Sequence, residues 1–168
     1  MKATATNPGR LDGKVSKLRI EIRKSEKKLG LFKGEDLLRT FDLALGFAAV
    51  GPKEIEGDGK TPEGAYVVLV KNPKSSFHLS LGINYPNSSD ARRGLNEGLI
   101  TSEVFEAIVE AVDAGKLPPQ KTPLGGEIYI HGGGVDGDWT RGCVGLDDSE
   151  MTELYEAVEV GTPVLILP

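Results

Sequence analysis

The feature that most constrains how this chain can fold is a series of short apolar or β-branched runs, each bounded by Gly, Pro or Asn. Such runs are typical of strands. In the first run, apolar and charged residues alternate, which is the period of a strand with one face in water. In the second, a KGED turn at residues 33–36 separates two apolar stretches and predicts a β-hairpin. The predicted strands lie in KLRIEIRK, KLGLFKGEDLLRTFDLALGF, GAYVVLVKNP, SFHLSLGI, EIYIHG and TPVLILP.

Two other segments, TSEVFEAIVEAVDAG and DDSEMTELYEAV, show the period of an amphipathic helix. The first has Thr101 or Ser102 as its N-cap and Gly115 at its end, and the second has Asp147 as its N-cap. The residues expected on the buried faces are Val104, Phe105, Ile108, Val109 and Val112 in the first helix and Met151, Leu154, Tyr155 and Val158 in the second. The sequence therefore predicts a mainly β fold with two short helices.

Length and composition limit the classes of function. With 168 residues, 39% of them hydrophobic and 27% charged, the chain has room for one globular domain. We assign residues 15–168 to this domain and residues 1–14 to a flexible N-terminal segment. The net charge of -5 and the dispersed lysines and arginines argue against a nucleic-acid partner. No apolar run is long enough for a signal peptide or a membrane span, which predicts a soluble chain.

The cysteine and histidine content bears on cofactors. One cysteine cannot form an internal disulfide, and two histidines provide no repeated pattern of the kind that structural zinc sites use. We therefore expect neither a metal nor another cofactor, and we expect the cysteine to act as a thiol.

The stretch HGGGVDGDWTRGC, residues 131–143, holds the side chains best suited to covalent chemistry. Its glycines allow the loop to fold back and bring His131 and Cys143 together. A thiolate is a strong nucleophile, and a nearby imidazole can take the thiol proton and return it to a leaving amine. The amides of Gly142 and Cys143 would face a developing oxyanion. The alternative, from the same residues, is a buried thiol that only packs.

Three motifs carry a resemblance to a known family. The residues IHG, followed by TRGCVGL and a helix, resemble the active-site signature of the L,D-transpeptidase catalytic domain (the YkuD-type domain), which is His-Gly, a loop, then Ser/Thr-His-Gly-Cys and an apolar residue. The stretch GDGKTPEGAYVV resembles the family's Thr-Pro-x-Gly-x-Phe/Tyr segment, and KNPKSSFHLSLGINYPN is similar to the YafK-like branch. The resemblance runs from about Leu18 to the C-terminus.

This resemblance implies the β-rich YkuD-type fold and a cysteine enzyme that uses peptidoglycan stem peptides as donors and acceptors. In such enzymes the thiolate attacks the carbonyl that precedes a terminal D-residue, and the thioester acyl group then passes to an amine. By position, Cys143 matches the nucleophile, His131 the base, Gly132 its partner and Thr140 the small hydroxyl residue. Peptidoglycan chemistry implies a location in the cell envelope or periplasm.

Two positions depart from the family's commonest pattern. Arg141 stands where a second histidine is usual, and Gly145 stands where many members have Arg two residues after the cysteine. A fixed guanidinium can bind a carboxylate bidentately and can lower the pKa of a nearby thiol, so Arg141 is a candidate to replace what both positions lack. The alternative is a solvated surface arginine.

Other single side chains are candidates for substrate binding. Trp139 either walls the acyl pocket or packs the loop. His78 lies on a predicted strand and Tyr85 in a predicted turn, and each either lines the cleft or has only a structural role. Asp136 and Asp138 either orient His131 or are solvated loop residues. The substrate-binding set predicted from the sequence is Arg141, Thr140, Gly132, Trp139, His78 and Tyr85.

Other functions fit parts of the sequence. A hydrolase would pass the same thioester to water, as an L,D-carboxypeptidase or as an endopeptidase that releases a lipoprotein from peptidoglycan. A domain that kept the fold without activity would only bind peptidoglycan. A zinc hydrolase would use His78, His131 and Cys143 as ligands, but no HExxH or CxxC spacing supports it.

Overall fold

The structure is a computed structural model that describes residues 17–168, so the segment predicted over residues 1–14 lies outside the described residues. The strands are β1 (Leu18–Arg23), β2 (Lys28–Lys33), β3 (Asp36–Asp42), β4 (Gly64–Ser75), β5 (His78–Ile83), β6 (Tyr129–His131), β7 (Val144–Gly145) and β8 (Pro163–Leu167). They form one eight-stranded sheet in the order β3-β2-β1-β8-β4-β5-β6-β7. Neighbours are antiparallel except for the pairs β1-β8 and β6-β7, which are parallel.

Every predicted strand run contains a strand of this sheet, so the mainly β fold is confirmed. The predicted hairpin joins β2 to β3, with Lys33 paired to Asp36. Gly34 in its turn has a φ of 62°, a left-handed conformation that costs glycine little. The short strand β7, inside TRGCVGL, was not predicted because two residues are too few to show a period.

The described residues form three helices, α1 (Ser88–Asn96), α2 (Ser102–Asp113) and α3 (Asp148–Ala157), so the prediction of two was wrong. The missed helix, α1, begins with a reciprocal capping box between Asn87 and Asp90. Its buried residues are Ala91 and Gly94, which are too small to give an apolar stripe in the sequence. Its packing depends on that small size, because a Cβ on Gly94 would lie 2.7 Å from Leu124 Cδ2.

The two predicted helices have the predicted boundaries. Thr101 is the N-cap of α2, and its side chain accepts a hydrogen bond from the Val104 amide at 3.2 Å. Gly115 follows the end of this helix with a φ of 71°. Asp147 is the N-cap of α3, although its side chain makes no capping hydrogen bond.

Two hydrophobic clusters position the loops of the site. The larger one packs the inward residues of the sheet against Met151 and Leu154 of α3 and against Val158, the C-cap of this helix. The smaller one joins α1 and α2 to Leu124 in the loop before β6. At the end of the sheet, backbone bridges link Ala44 to Gly145 and Gly46 to Thr140. These bridges hold residues 140–145 in place.

Candidate active site

An open cleft of about 1440 Å³ crosses the molecule where β6 and β7 end the sheet. Its walls come from the loop at residues 53–57, the β4-β5 hairpin, the loop before β6 and residues 139–143. His131 and Cys143 both line this cleft. The structure therefore brings the candidate base and the candidate nucleophile into one cavity. Three of the predicted substrate-binding residues, Trp139, Thr140 and Arg141, line it as well.

The pairing of β6 with β7 sets where the thiol lies. His131 is opposite Gly145 in this parallel pair, and Cys143 immediately precedes β7. The Tyr129 amide donates to Cys143 Sγ at 3.4 Å, and Sγ lies 3.5 Å from the Glu127 carbonyl oxygen. The half-buried thiol is therefore held against the backbone of the segment that leads into β6.

Thr140 shapes the turn that carries the nucleophile. Its hydroxyl donates to the Cys143 carbonyl at 2.7 Å and accepts from the Gly142 amide at 3.1 Å. Gly142 has a φ of 137°, and a Cβ there would lie 2.8 Å from the Lys60 carbonyl oxygen, so the turn requires glycine. Because the Gly142 amide already donates to Thr140, an oxyanion at this amide would compete with that hydroxyl.

The environment of Cys143 keeps the thiol protonated in the resting protein. Burial raises the pKa of Cys143 to about 11, while the Tyr129 amide and the positive charge of Lys53 act in the opposite direction. The charge of Glu127 raises the pKa further. Arg141, a candidate from the sequence for lowering the pKa of this thiol, is exposed at the cleft. Lys53 is a cation of the described residues whose charge lowers the pKa of Cys143.

His131 is 4% exposed and neutral at rest. Burial lowers its pKa from the usual value, and a hydrogen bond to the Gly132 carbonyl oxygen partly offsets this effect. That bond joins His131 Nδ1 and Gly132 O at 2.6 Å. A carbonyl oxygen can only accept, so Nδ1 carries the proton and Nε2 has the lone pair that a general base needs.

Two aromatic side chains enclose the imidazole. Phe77 stacks on His131 with ring centroids 4.5 Å apart and an interplanar angle of 22°. Trp139 meets the same ring edge-on at 5.6 Å. Phe77 was not predicted as a site residue, because a single aromatic in a turn gives no periodic signal. Both rings also keep solvent-exposed surface in the cleft, 43% for Phe77 and 37% for Trp139.

The loop between His131 and Cys143 is anchored at several points. Trp139 Nε1 donates to the Gly134 carbonyl at 3.0 Å, and the Gly133 amide donates to Asp148 Oδ1 at 2.9 Å. Asp138 accepts from the Leu45 amide at 3.1 Å and forms an ion pair with Lys27. Asp138 therefore fixes the loop that carries Trp139. Neither role considered from the sequence, orientation of His131 or solvation in the loop, describes these contacts.

The backbone of Gly132 orients the side chain of His131. Its carbonyl accepts from His131, and its amide donates to the Phe77 carbonyl at 2.9 Å. A Cβ at this position would lie 2.7 Å from that same Phe77 oxygen and would collide with Asp148. The substitution of Gly132 by any larger residue would therefore displace the backbone that orients His131.

The structure places His78 and Tyr85 outside the cleft lining. His78 Nε2 lies 2.7 Å from Thr152 Oγ1 on α3, and that hydroxyl donates to the Asp148 carbonyl. Tyr85 is fully buried, and its hydroxyl donates to the Leu124 carbonyl at 2.6 Å. These contacts give both side chains a structural role in the free protein.

The zinc-hydrolase alternative needs His78, His131 and Cys143 as ligands, and His78 is directed to α3 instead. Within residues 17–168 no group of three or more His, Cys, Asp or Glu side chains could hold a metal ion.

The helices found in the same range are too short or too polar to cross a bilayer.

Known proteins were compared with this chain and its fold. YafK of Escherichia coli (strain K12), which bears an L,D-transpeptidase name, is 35% identical over 81 residues, which make up 45% of this chain and 33% of YafK. The structure of Bd1075 from Bdellovibrio bacteriovorus superposes with a TM-score of 0.59 and 25% identity, over 90% of this chain and 48% of Bd1075.

The helical cell shape determining protein Pgp2 from Campylobacter jejuni gives a TM-score of 0.58 and 21% identity, over 89% of this chain and 46% of Pgp2. The chain thus spans a third to a half of the length of these relatives. The family model for the L,D-transpeptidase catalytic domain, YkuD, matches residues 17–166, which is nearly the whole chain. By this match and by its fold, the chain belongs to the YkuD family of L,D-transpeptidase catalytic domains.

Proposed function

We propose that this domain is a cysteine-dependent L,D-transpeptidase that acts on peptidoglycan stem peptides through a thioester acyl-enzyme. The observation that carries the proposal is the shared cleft of Cys143 and His131, in which the imidazole is held as the tautomer of a general base. Family membership supports the substrate class. The sequence has one cysteine, so Cys143 is the thiol available for this chemistry.

The first half-reaction begins from a neutral pair. As Sγ of Cys143 attacks the carbonyl that precedes the terminal D-residue, the thiol proton passes to Nε2 of His131. The tetrahedral intermediate collapses when His131 returns this proton to the leaving amine. The D-residue departs, and the remaining stem peptide is bound to Cys143 as a thioester.

The second half-reaction transfers the acyl group. His131 takes a proton from an acceptor amine as the amine attacks the thioester, and Cys143 recovers its proton when it leaves. The products are a new amide bond and the free enzyme. Water in place of the amine would give hydrolysis, so the identity of the second nucleophile separates a transpeptidase from a carboxypeptidase.

The remaining cleft residues support this chemistry by position. We assign stabilisation of the oxyanion to the Cys143 amide, because the Gly142 amide donates to Thr140 in the free protein. Trp139 walls the acyl site beside His131, and exposed Arg141 contacts an anionic group of the stem peptide. From the proposed substrate class we infer a location in the cell envelope, and from the printed role of Pgp2 we propose a contribution to cell shape.

The decisive experiment is intact-protein mass spectrometry after mixing with a tetrapeptide muropeptide, with and without an amine acceptor. We expect an adduct equal to the donor without its terminal D-residue on the wild type, and none on Cys143→Ala. Cys143→Ser should be nearly inactive because a hydroxyl is much harder to deprotonate than a thiol. A cross-linked product indicates transfer, and a tripeptide indicates hydrolysis. Turnover that persists in Cys143→Ala would exclude this mechanism.

A further inference from the structure

The cations that line the cleft differ sharply in their surroundings. They are Lys53, Lys74, Lys121 and Arg141. The side chain of Lys121 is 89% exposed and that of Lys53 only 3%. An exposed cation is solvated and contributes little to binding, whereas a buried cation acts through a medium of lower dielectric constant. Lys53 is thus the cleft cation best placed to bind a charged ligand group strongly.

The Lys53 ammonium is held rigidly by its neighbours. It donates to the Ile55 carbonyl at 3.1 Å and to Asp58 Oδ1 at 3.2 Å. Asp58 in turn accepts from the amides of Glu54 and Lys60, at 2.8 Å and 3.1 Å. An ammonium has three N–H donors, and these two contacts use two of them. One donor is therefore left on a buried, immobilised cation in the cleft wall.

Lys53 also acts on the reaction centre. It lines the same cleft as Cys143, and its positive charge lowers the pKa of that thiol against the larger effect of burial. The leaving residue of the donor has a free carboxylate, which only the amide nitrogen and one Cα separate from the carbonyl under attack. A cation that binds this carboxylate must therefore lie close to the nucleophile.

The position two residues after Cys143 offers no cation to the cleft. Gly145 occupies it, and a Cβ there would already lie 3.1 Å from the Gly134 carbonyl oxygen and 3.4 Å from the Trp139 ring. A long basic side chain could not be accommodated without moving this loop. The cations that line the cleft come from other segments of the chain.

We propose that Lys53 is a specificity-determining residue whose remaining N–H donor binds the free carboxylate of the residue that leaves when Cys143 attacks. This inference rests on the proposed function, since it names the group of the donor that the cleft recognises. It accounts for a buried lysine in the cleft wall whose contacts with Ile55 and Asp58 do not use all of its donors. It also predicts that the enzyme reacts faster with a donor peptide that has a free C-terminal carboxylate at the leaving residue than with one that is amidated or extended there.

The test compares the wild type with Lys53→Met, which keeps the unbranched side chain but lacks the ammonium group, and with Lys121→Met, which removes a cleft lysine of equal charge. The first measurement is the rate of Cys143 alkylation at pH 9 by iodoacetate and by iodoacetamide, each relative to free cysteine. The second is the rate of thioester formation from a tetrapeptide with a free or an amidated C-terminus. Thermal melting shows whether each variant is folded.

With the wild type and Lys121→Met, we expect iodoacetate to react about tenfold or more faster than iodoacetamide, and the free tetrapeptide faster than its amide by a similar factor. With Lys53→Met, both rate ratios should fall to about one. A purely structural role would lower the rates with both forms equally. If Lys53→Met fails to fold, protection of wild-type Cys143 from iodoacetamide by a D-amino acid, but not by its amide, tests the same contact.

An equal preference in the wild type and in Lys53→Met would overturn the inference, as would absence of protection by the D-amino acid. Failure of the proposed function has a different signature. In that case neither tetrapeptide forms a thioester with the wild type, while the iodoacetate preference still depends on Lys53.

Discussion

The Nδ1 atom of His131 lies 2.6 Å from the carbonyl oxygen of Gly132, the next residue in the chain. This contact fixes the tautomer, because the carbonyl can only accept and the proton must therefore be on Nδ1. Burial lowers the pKa of the same ring, so the imidazole is neutral at physiological pH. His131 is thus ready to accept a proton at Nε2, provided that the thiol proton is released during attack.

His131→Ala should lower kcat/KM for thioester formation by about a hundredfold or more, the usual contribution of a general acid-base. The rate of thioester formation is measured by quenching the reaction at successive times and determining the adduct by intact-protein mass spectrometry. Alkylation of Cys143 by iodoacetamide at pH 10 should be close to that of the wild type, which shows that the thiol is still accessible. A loss of less than about fivefold would mean that another group carries the proton.

The second prediction concerns the pH dependence of Cys143 in the absence of substrate. With a pKa of about 11, the thiolate fraction and the rate of alkylation by iodoacetamide should rise about tenfold per pH unit between pH 7 and pH 10. The urea-unfolded protein, whose thiol has its ordinary pKa, should reach its plateau about two units lower. A plateau of the folded protein between pH 6 and pH 7 would indicate a thiolate-imidazolium pair instead.

Phe77→Ala should move the acidic limb of the pH-rate profile to higher pH. The ring of Phe77 covers His131, and burial is the largest cause that lowers the pKa of this imidazole. Exposure to water stabilises the protonated form, so His131 in the variant should lose its proton at a higher pH than in the wild type. Phe77→Leu keeps an apolar cover and should shift the limb less. Profiles of kcat/KM from pH 5 to pH 8 measure the effect, and identical limbs would contradict it.

Thr140→Val should slow acylation by about tenfold and destabilise the domain by about 1–3 kcal/mol, because it leaves a buried amide and a carbonyl without their hydroxyl partner. Thr140→Ser keeps the hydroxyl and should restore most of the rate and of the melting temperature. A lower kcat would indicate an altered turn at Cys143, whereas a higher KM with unchanged kcat would indicate a lost substrate contact. If serine and valine behave alike, the hydroxyl does not position Cys143.

Arg141→Ala should raise KM for the stem peptide by about two- to fivefold with little change in kcat, since an exposed ion pair in water is weak. Added salt should reduce the difference from the wild type. Arg92→Ala is the matched control, because this exposed arginine stacks on Phe105, away from the residues that line the cleft. Equal KM values for both variants would identify Arg141 as an ordinary surface residue.

Much of the fold could be predicted from local patterns. The alternation in β1, the KGED turn of the β2-β3 hairpin and the Thr101 cap of α2 depend on neighbouring residues, and each lies where it was expected. The helix α1 could not be found in this way, because its buried residues, Ala91 and Gly94, leave an otherwise polar segment without an apolar face. Its one local signal is the pair Asn87 and Asp90, which has the spacing of a capping box.

The candidate site, like the fold, could be predicted only in part from the sequence. The order of His131 and Cys143 around a glycine-rich loop is a property of the sequence, and the chemistry of imidazole and thiol makes them candidates wherever the loop lies. The stacking of Phe77 on His131 and the buried charge of Lys53 near Cys143 come from segments far apart in the chain. No periodicity or motif connects these segments.

The sequence by itself therefore determined seven of the eight strands and two of the three helices of the described residues, and the identity of the reactive side chains, since these depend on short-range patterning and on chemical type. Only the tertiary structure decided which amide is already occupied, which cation acts on the thiol and which ring nitrogen of His131 is basic. Burial and long-range hydrogen bonds set these properties. They exist only when β6, β7, the loop at residues 53–57 and the β4-β5 hairpin meet around one cleft.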